Sequence, residues 1–202
     1  MKKLLFLLCL FSLEINAQNL DNHLLQNIYG SIQPTNVNTA KTLSSTATPV
    51  SLALPAGLLA VGFSTKNKTL QQQGWQALGG FVIANSVTQV TKRIVLRQRP
   101  FIAHPSLFVA RIGGEEPNYS FPSGHTTTAF ATATTLAINY RKWYVVVPAY
   151  AWAGAIGYSR MRLGMHYPSD VLAGAITGAA GAWLSYKIQQ KWIKRNQQKS
   201  MK

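Results

Sequence analysis

The chain reads as an all-α protein, a compact helical bundle of about five to six helices embedded in a membrane, and three observations predict it. Five apolar or amphipathic segments follow one another after residue 49, at 50–64, 75–96, 123–140, 143–158 and 171–187. Basic residues gather in short clusters beside them. If the segments alternate across a membrane, Lys66, Lys68, Arg141, Lys142 and the tail bases from Lys187 to Lys202 fall on one side. The last segment carries Gly174-x3-Gly178 and Ala175-x3-Ala179, a spacing of small residues that lets a helix approach its neighbours closely. Most segments hold 15–20 residues, short against the ~20 that ~30 Å of hydrocarbon requires. A soluble helical protein of the periplasm is therefore the alternative.

The elements follow in order. Residues 1–17 are a signal peptide or an N-terminal anchor: Met1, Lys2 and Lys3 precede an apolar run over 4–13, and Ala17 suits a cleavage site. Cys9, the only cysteine, lies inside this segment, so disulfides do not hold the exported remainder together. Residues 18–49 are an amphipathic helix and a polar linker. Leu20, Leu24, Ile28 and Ile32 recur every four residues, whereas 33–49 is rich in Ser, Thr, Asn and Pro. Residues 50–188 form the helical bundle, and 189–202 a basic polar tail suited to anionic lipid.

Twenty Lys and Arg stand against five Asp and Glu, a formal charge of +15. Such a balance means nucleic acid or an anionic membrane surface. No nucleic-acid-binding signature is present, and the bases sit beside apolar segments in a chain that is 47% hydrophobic. The partner is a membrane, and nucleic acid is set aside. The side opposite the basic clusters holds Asp21, Glu115, Glu116 and Asp170. The positive-inside rule puts that side outside the cytoplasm, where the signal segment also sends residues 18–49.

Three motifs share that side. Lys92 and Arg99 are seven residues apart, ~700° on a helix, so both face one way. Pro100 then ends or bends the helix and leaves Arg99 to reach round an anion. Arginine offers planar paired donors to phosphate oxygens and lysine a compact charge. Arg93 and Arg97, off that face, read as interfacial charge. Pro122, Ser123, Gly124 and His125 look like a helix start, with Ser123 as cap and Gly124 admitting an anion to the backbone amides; an ordinary capped helix is the plainer reading. Ser159 and Arg160 lead across five residues to His166 and then, four later, to Asp170. Asp170 can hold one imidazole tautomer so that the other ring nitrogen is nucleophilic, or simply cap a helix. His104, Glu115 and Glu116 read as loop residues.

With K-x6-RP, PSGH and SR-x5-H-x3-D matched at every defining position, the chain resembles the type 2 phosphatidic acid phosphatase family, whose site is shared by bacterial acid phosphatases and vanadium haloperoxidases. The matched stretch, Lys92 to Asp170, is 79 of 202 residues. The resemblance implies a double displacement at the extracytoplasmic end of the bundle. His166 is the nucleophile, Asp170 holds its other N–H, and His125 is the acid and then the base. Lys92, Arg99, Ser123, Gly124 and Arg160 bind the phosphate oxygens. It implies no cofactor and no metal, and the carboxylates are too few beside the histidines for the usual oxygen-rich paired metal site.

The function implied is hydrolysis of a lipid phosphate or diphosphate at the outer face of a bacterial inner membrane. Substrates of the class are an isoprenyl pyrophosphate, phosphatidylglycerol phosphate, phosphatidic acid or a lipid A phosphate. The alternatives are a soluble periplasmic acid phosphatase of broad specificity and a non-catalytic helical membrane protein with an idle phosphate site. A haloperoxidase fits poorly, because the match covers only the oxyanion site.

Overall fold

The computed structural model describes residues 19–30, 34–112 and 119–200. The expected signal peptide or anchor at 1–17, and Glu115 with Glu116, lie outside them. Among the described residues the protein is all-α. The helices are α1 (residues 19–30), α2 (Pro34–Ser45), α3 (Ala47–Ser64), α4 (Lys68–Val95), a single turn α5 (Pro100–Ala103), α6 (Gly124–Tyr140), α7 (Trp143–Arg162) and α8 (Pro168–Ser200).

The five long helices α3, α4, α6, α7 and α8 occupy the five apolar segments; α3, α4 and α8 start earlier than expected, and α7 and α8 end later. Helix α4 starts at Lys68 because Asn67 caps it, its side chain accepting from the amides of Thr69 and Leu70 at 3.0 and 3.2 Å. Of the polar linker expected over 33–49, the described residues 34–49 are instead α2 and the start of α3. Composition concealed a helical stripe: Val37, Ala40, Leu43 and Ala47 recur three or four apart and enter two apolar clusters against α7 and the turn after it. The expected tail at 189–202 is likewise helical as far as Ser200, a continuation of α8. Lys, Gln and Arg are good helix formers, and Gln189 donates to the Gln72 carbonyl at 2.5 Å.

Helix α6 packs against α3, α4, α7 and α8. Its buried face is made of Ala129, Ala131 and Ala133 with Thr126, Thr127, Thr128, Thr132, Thr134 and Thr135. Small side chains let the helices close up, and the hydroxyls find partners across the gap: Thr88 donates to Thr127 at 3.1 Å and Thr128 to Asn85 at 3.2 Å. The glycines of α8 touch backbone. A Cβ on Gly174 would lie 2.7 Å from the Ser123 carbonyl oxygen, and one on Gly178 would overlap the Thr127 carbonyl.

Many of the large apolar side chains point outward. Ile94, Trp143, Leu172, Ile176 and Trp192 are each more than 60% exposed, while the main cluster is built on Ala47, Ala129, Ala133, Ala153 and Ile156. Among the described residues one stretch, Val37–Ser64, is long and apolar enough to cross a membrane, with a mean hydropathy of 1.5.

Polar pairs mark the two ends of the bundle. Tyr140 donates to Gln73, Asn139 to Gln76 and Gln189 to Gln72. That end carries the turns at Lys66 and Arg141 and the basic end of α8. At the opposite end the Ser123 amide donates to the Asp170 carbonyl at 3.0 Å.

Candidate active site

Helix α4 delivers Lys92 in its last turn and then stops. Leu96 closes it in the left-handed region (φ 53°), its amide bonding the Lys92 carbonyl. That conformation is uncommon for a residue with a Cβ, and no local signal in the sequence announces it. Arg99 is therefore not two turns further along the helix face, and Pro100 does not end α4; it begins α5, with Arg99 at the N-cap position. The returning strand of chain closes over this corner. The Lys92 ammonium donates to the Tyr119 carbonyl at 2.6 Å, and the Ser120 amide to the Arg97 carbonyl at 2.7 Å.

His166 stands in the tight turn between α7 and α8. Ser159 and Arg160 belong to the last helical turn of α7 rather than to a loop. Gly164 adopts φ +71°, and a Cβ there would sit 2.8 Å from the Val109 carbonyl oxygen, so glycine is required. The Met165 amide then donates back to the Arg160 carbonyl at 3.0 Å, which turns His166 into the bundle, 1% exposed. Its Nε2 lies 3.3 Å from Arg99 Nη1, and its Nδ1 lies 3.5 Å from Asp170 Oδ2. A guanidinium only donates, so Nε2 is the accepting nitrogen and the ring proton is on Nδ1, facing Asp170. Arg99 also donates to the Met165 carbonyl at 3.0 Å.

Asp170 caps α8 and stands beside the imidazole. From the first turn of α8 its Oδ2 accepts the Tyr167 amide at 2.9 Å, the reach-back of a capping box, while the same carboxylate faces His166. Ser123 sits at the N-cap of α6, yet its hydroxyl does not cap; it pairs with Thr126 Oγ1 at 2.9 Å. Gly124 has nothing within 4 Å of where a Cβ would be, so the start of α6 is open to close approach. His125 follows in the first turn, half-buried. Arg160 is buried and spends one nitrogen on Ser44 of α2, at 2.9 Å. Lys92, Arg99, Ser123, Gly124, His125, Arg160, His166 and Asp170 thus all come from element ends at one end of the bundle. Among the described residues no three His, Cys, Asp or Glu side chains gather as a metal site would need.

Arg97, expected as interfacial charge, is instead a clamp behind this site. Its Nη1 donates to Asp170 Oδ1 and to the Ser169 hydroxyl, each at 2.7 Å, and its Nη2 to Asp21 Oδ2 at 2.7 Å. The guanidinium lies 4.0 Å from the centre of the Tyr167 ring. Burial works against its charge, but the Asp170 and Asp21 carboxylates outweigh that and hold it above its usual range. Burial also pushes the Tyr167 phenol up to about 12, against the pull of Arg97. A helix continued past Leu96 would put Arg97 off the Lys92 face; the break at Leu96 instead brings it to Asp170. Scarcity of acids is the usable signal, since a half-buried arginine favours a carboxylate partner and few are present. Beside the clamp, Asn22, Arg97, Gln98, Ala103, His104 and Tyr167 line a polar cavity of about 280 Å³. The Asn22 amide donates to His104 Nε2 at 3.3 Å across it.

A family model described as the PAP2 superfamily matches residues 73–194, more than half of the chain. A lipid A 4'-phosphatase of Bacteroides thetaiotaomicron is 40% identical over 79 residues, 39% of this chain and 35% of that protein. An undecaprenyl-diphosphatase of Sulfolobus acidocaldarius is 33% identical over 110 residues, 54% of this chain and 52% of that one. The matches thus span about a third to a half of the length of these relatives. The fold is that of a transmembrane PAP2-type phosphatidylglycerolphosphate phosphatase from Bacillus subtilis, with a TM-score of 0.68, 23% identity and 87% of each chain covered.

Proposed function

The chain belongs to the PAP2 superfamily, and from that premise we propose that it is a metal-independent phosphatase acting on a lipid phosphate or diphosphate through a phosphohistidine. The observation that carries this reading is the setting of His166, buried with its Nδ1 3.5 Å from Asp170 Oδ2 and its Nε2 3.3 Å from Arg99 Nη1.

Each step uses a group of this chain. Nε2 attacks phosphorus as the bond to the leaving oxygen breaks, and His125 protonates that oxygen. Asp170 stabilises the charge that appears on the ring. Water then attacks the phosphohistidine, losing a proton to His125, and inorganic phosphate leaves. Lys92, Arg99, Arg160 and the amides at the start of α6 hold the equatorial oxygens, where transition-state charge is spread.

A lipid substrate is favoured by the surface. Small residues inside and large apolar residues outside is the arrangement of a bundle in lipid rather than water, and the polar cavity opens at the end where the motifs lie. Lys66, Lys68, Arg141, Lys142 and the α8 terminus form the opposite end, which supports a site facing away from the cytoplasm. The names of the relatives favour a lipid A phosphate or an isoprenyl diphosphate within the wider class of phosphatidylglycerol phosphate and phosphatidic acid.

The test is phosphate release by detergent-solubilised protein from a panel of lipid A, isoprenyl, glycerophospholipid and water-soluble phosphate esters under one set of conditions. One lipid class should exceed the water-soluble esters by at least about 10-fold in kcat/KM. A preference for the soluble esters, with extraction that needs no detergent, would favour the acid-phosphatase reading. Vanadate should inhibit and chelators leave the rate unchanged. Activity lost to a chelator would move the chemistry to another site.

A further inference from the structure

We propose that Asp21, on the N-terminal helix α1, is a positioning residue for the nucleophile: through Arg97 and Ser169 it holds Asp170 in place and restores negative charge behind His166. The proposal rests on the phosphatase reading for its kinetic part only.

The charges explain why a second carboxylate is there. Asp170 must favour positive charge on the His166 ring, yet Arg97 is bonded to its other oxygen at 2.7 Å. In a site from which water is excluded, that pair alone sums to zero and gives a ring cation little support. Asp21 takes the second nitrogen of the same guanidinium at 2.7 Å, and the string Asp21, Arg97, Asp170 then carries one net negative charge. Both Asp21 oxygens are also fastened to α8. Oδ1 accepts the Ser169 amide at 3.0 Å, and Oδ2 accepts the Ser169 hydroxyl. All three side chains are largely removed from water, at 8%, 21% and 0% exposed for Asp21, Arg97 and Asp170.

The remaining charged groups around the ring are cationic or neutral. Arg99 at the start of α5 touches it, and Lys92 of α4, His125 of α6 and Arg160 of α7 stand at the same end of the bundle. Among the described residues, Asp170 and Asp21 are the carboxylates in the string. Asp21 lies outside the matched residues 73–194, so this support comes from the part of the chain preceding the family segment.

Helix α1 does not depend on the ion pair for its place. Leu25 is fully buried against Phe108 and Tyr167, and the Tyr29 hydroxyl both donates to and accepts from the Val109 backbone. An Asp21→Asn protein therefore keeps α1 docked and isolates the charge. The experiment compares wild-type, Asp21→Asn and Asp21→Glu by steady-state kinetics, thermal melting and the ¹⁵N spectrum of histidine-labelled protein. With four histidines in the chain, a His166→Ala sample assigns the resonance.

In Asp21→Asn, kcat should fall on the order of 10-fold with KM within about 2-fold. The His166 ring should lose its preference for Nδ1–H and release its proton at lower pH, moving the acid limb of the rate profile the same way. Asp21→Glu should recover most of the loss. An unchanged kcat overturns the proposal. So does a fall in kcat with an unaltered His166 spectrum, which makes Asp21 a support of the fold alone. Should wild-type protein release no phosphate from any substrate, the phosphatase reading fails, and the ring spectrum still decides the role of Asp21.

Discussion

His166→Ala is expected to lower phosphate release by roughly 10⁴-fold or more, because no covalent intermediate can form without the ring. The protein should still fold. Asp170 keeps Arg97 and the Tyr167 amide as partners when the imidazole is gone, and the turn is shaped by backbone bonds and Gly164 rather than by the histidine. His125→Ala should cost less, ~10²–10⁴-fold, and least on a diphosphate, whose phosphate leaving group needs little protonation. The comparison of the two variants on a monoester and a diphosphate is therefore diagnostic. Phosphate release by His166→Ala above about 1% of wild-type turnover would remove the double displacement, since the difference expected for a nucleophile is far larger.

How far the sequence spoke for this structure depended on whether a feature was local. The five long helices follow from apolar periodicity, and the close approach of α8 to α6 follows from the Gly174-x3-Gly178 spacing. The pairing of His166 with Asp170 is also local, four residues across the start of one helix. What stayed hidden depended on backbone events with no composition of their own. Leu96 takes a left-handed conformation that nothing nearby requires, and with it the relation between Lys92 and Arg99 changed from one helix face to a corner. Arg97 changed from a surface base to a half-buried clamp for the same reason. In residues 34–49 polar composition hides a stripe of Val37, Ala40, Leu43 and Ala47, which becomes decisive only when α7 and the following turn supply the surface it covers. The contact of Asp21 with Asp170 joins residues 149 positions apart in sequence through Arg97, and no spacing rule reaches that far.

The second large effect is expected far from any charge. Gly178→Ala should destabilise the protein and slow it together. The added Cβ would overlap the Thr127 carbonyl and lie 2.8 Å from the Ala131 amide nitrogen. Those atoms are helix backbone, unable to yield as a side chain can, so α6 and α8 must separate. Overpacking of this kind costs about 1–3 kcal/mol, read as a lower melting temperature. The same displacement spreads to the site, because Ser123, Gly124 and His125 stand at the start of α6, Asp170 stands in the first turn of α8, and the Ser123 amide donates to the Asp170 carbonyl. A shift of ~1 Å between reacting groups can cost ~10² in rate, so kcat should fall by roughly 10- to 100-fold even at temperatures where the variant is folded. Gly154→Ala is the control. It lies on α7 with nothing within 4 Å of the added atom, and alanine in place of a helical glycine there should raise stability by about 0.5–1 kcal/mol and leave kcat alone. If Gly178→Ala melts and turns over like Gly154→Ala, the two helices do not meet backbone to backbone, and the alignment of the start of α6 with the start of α8 must have another source.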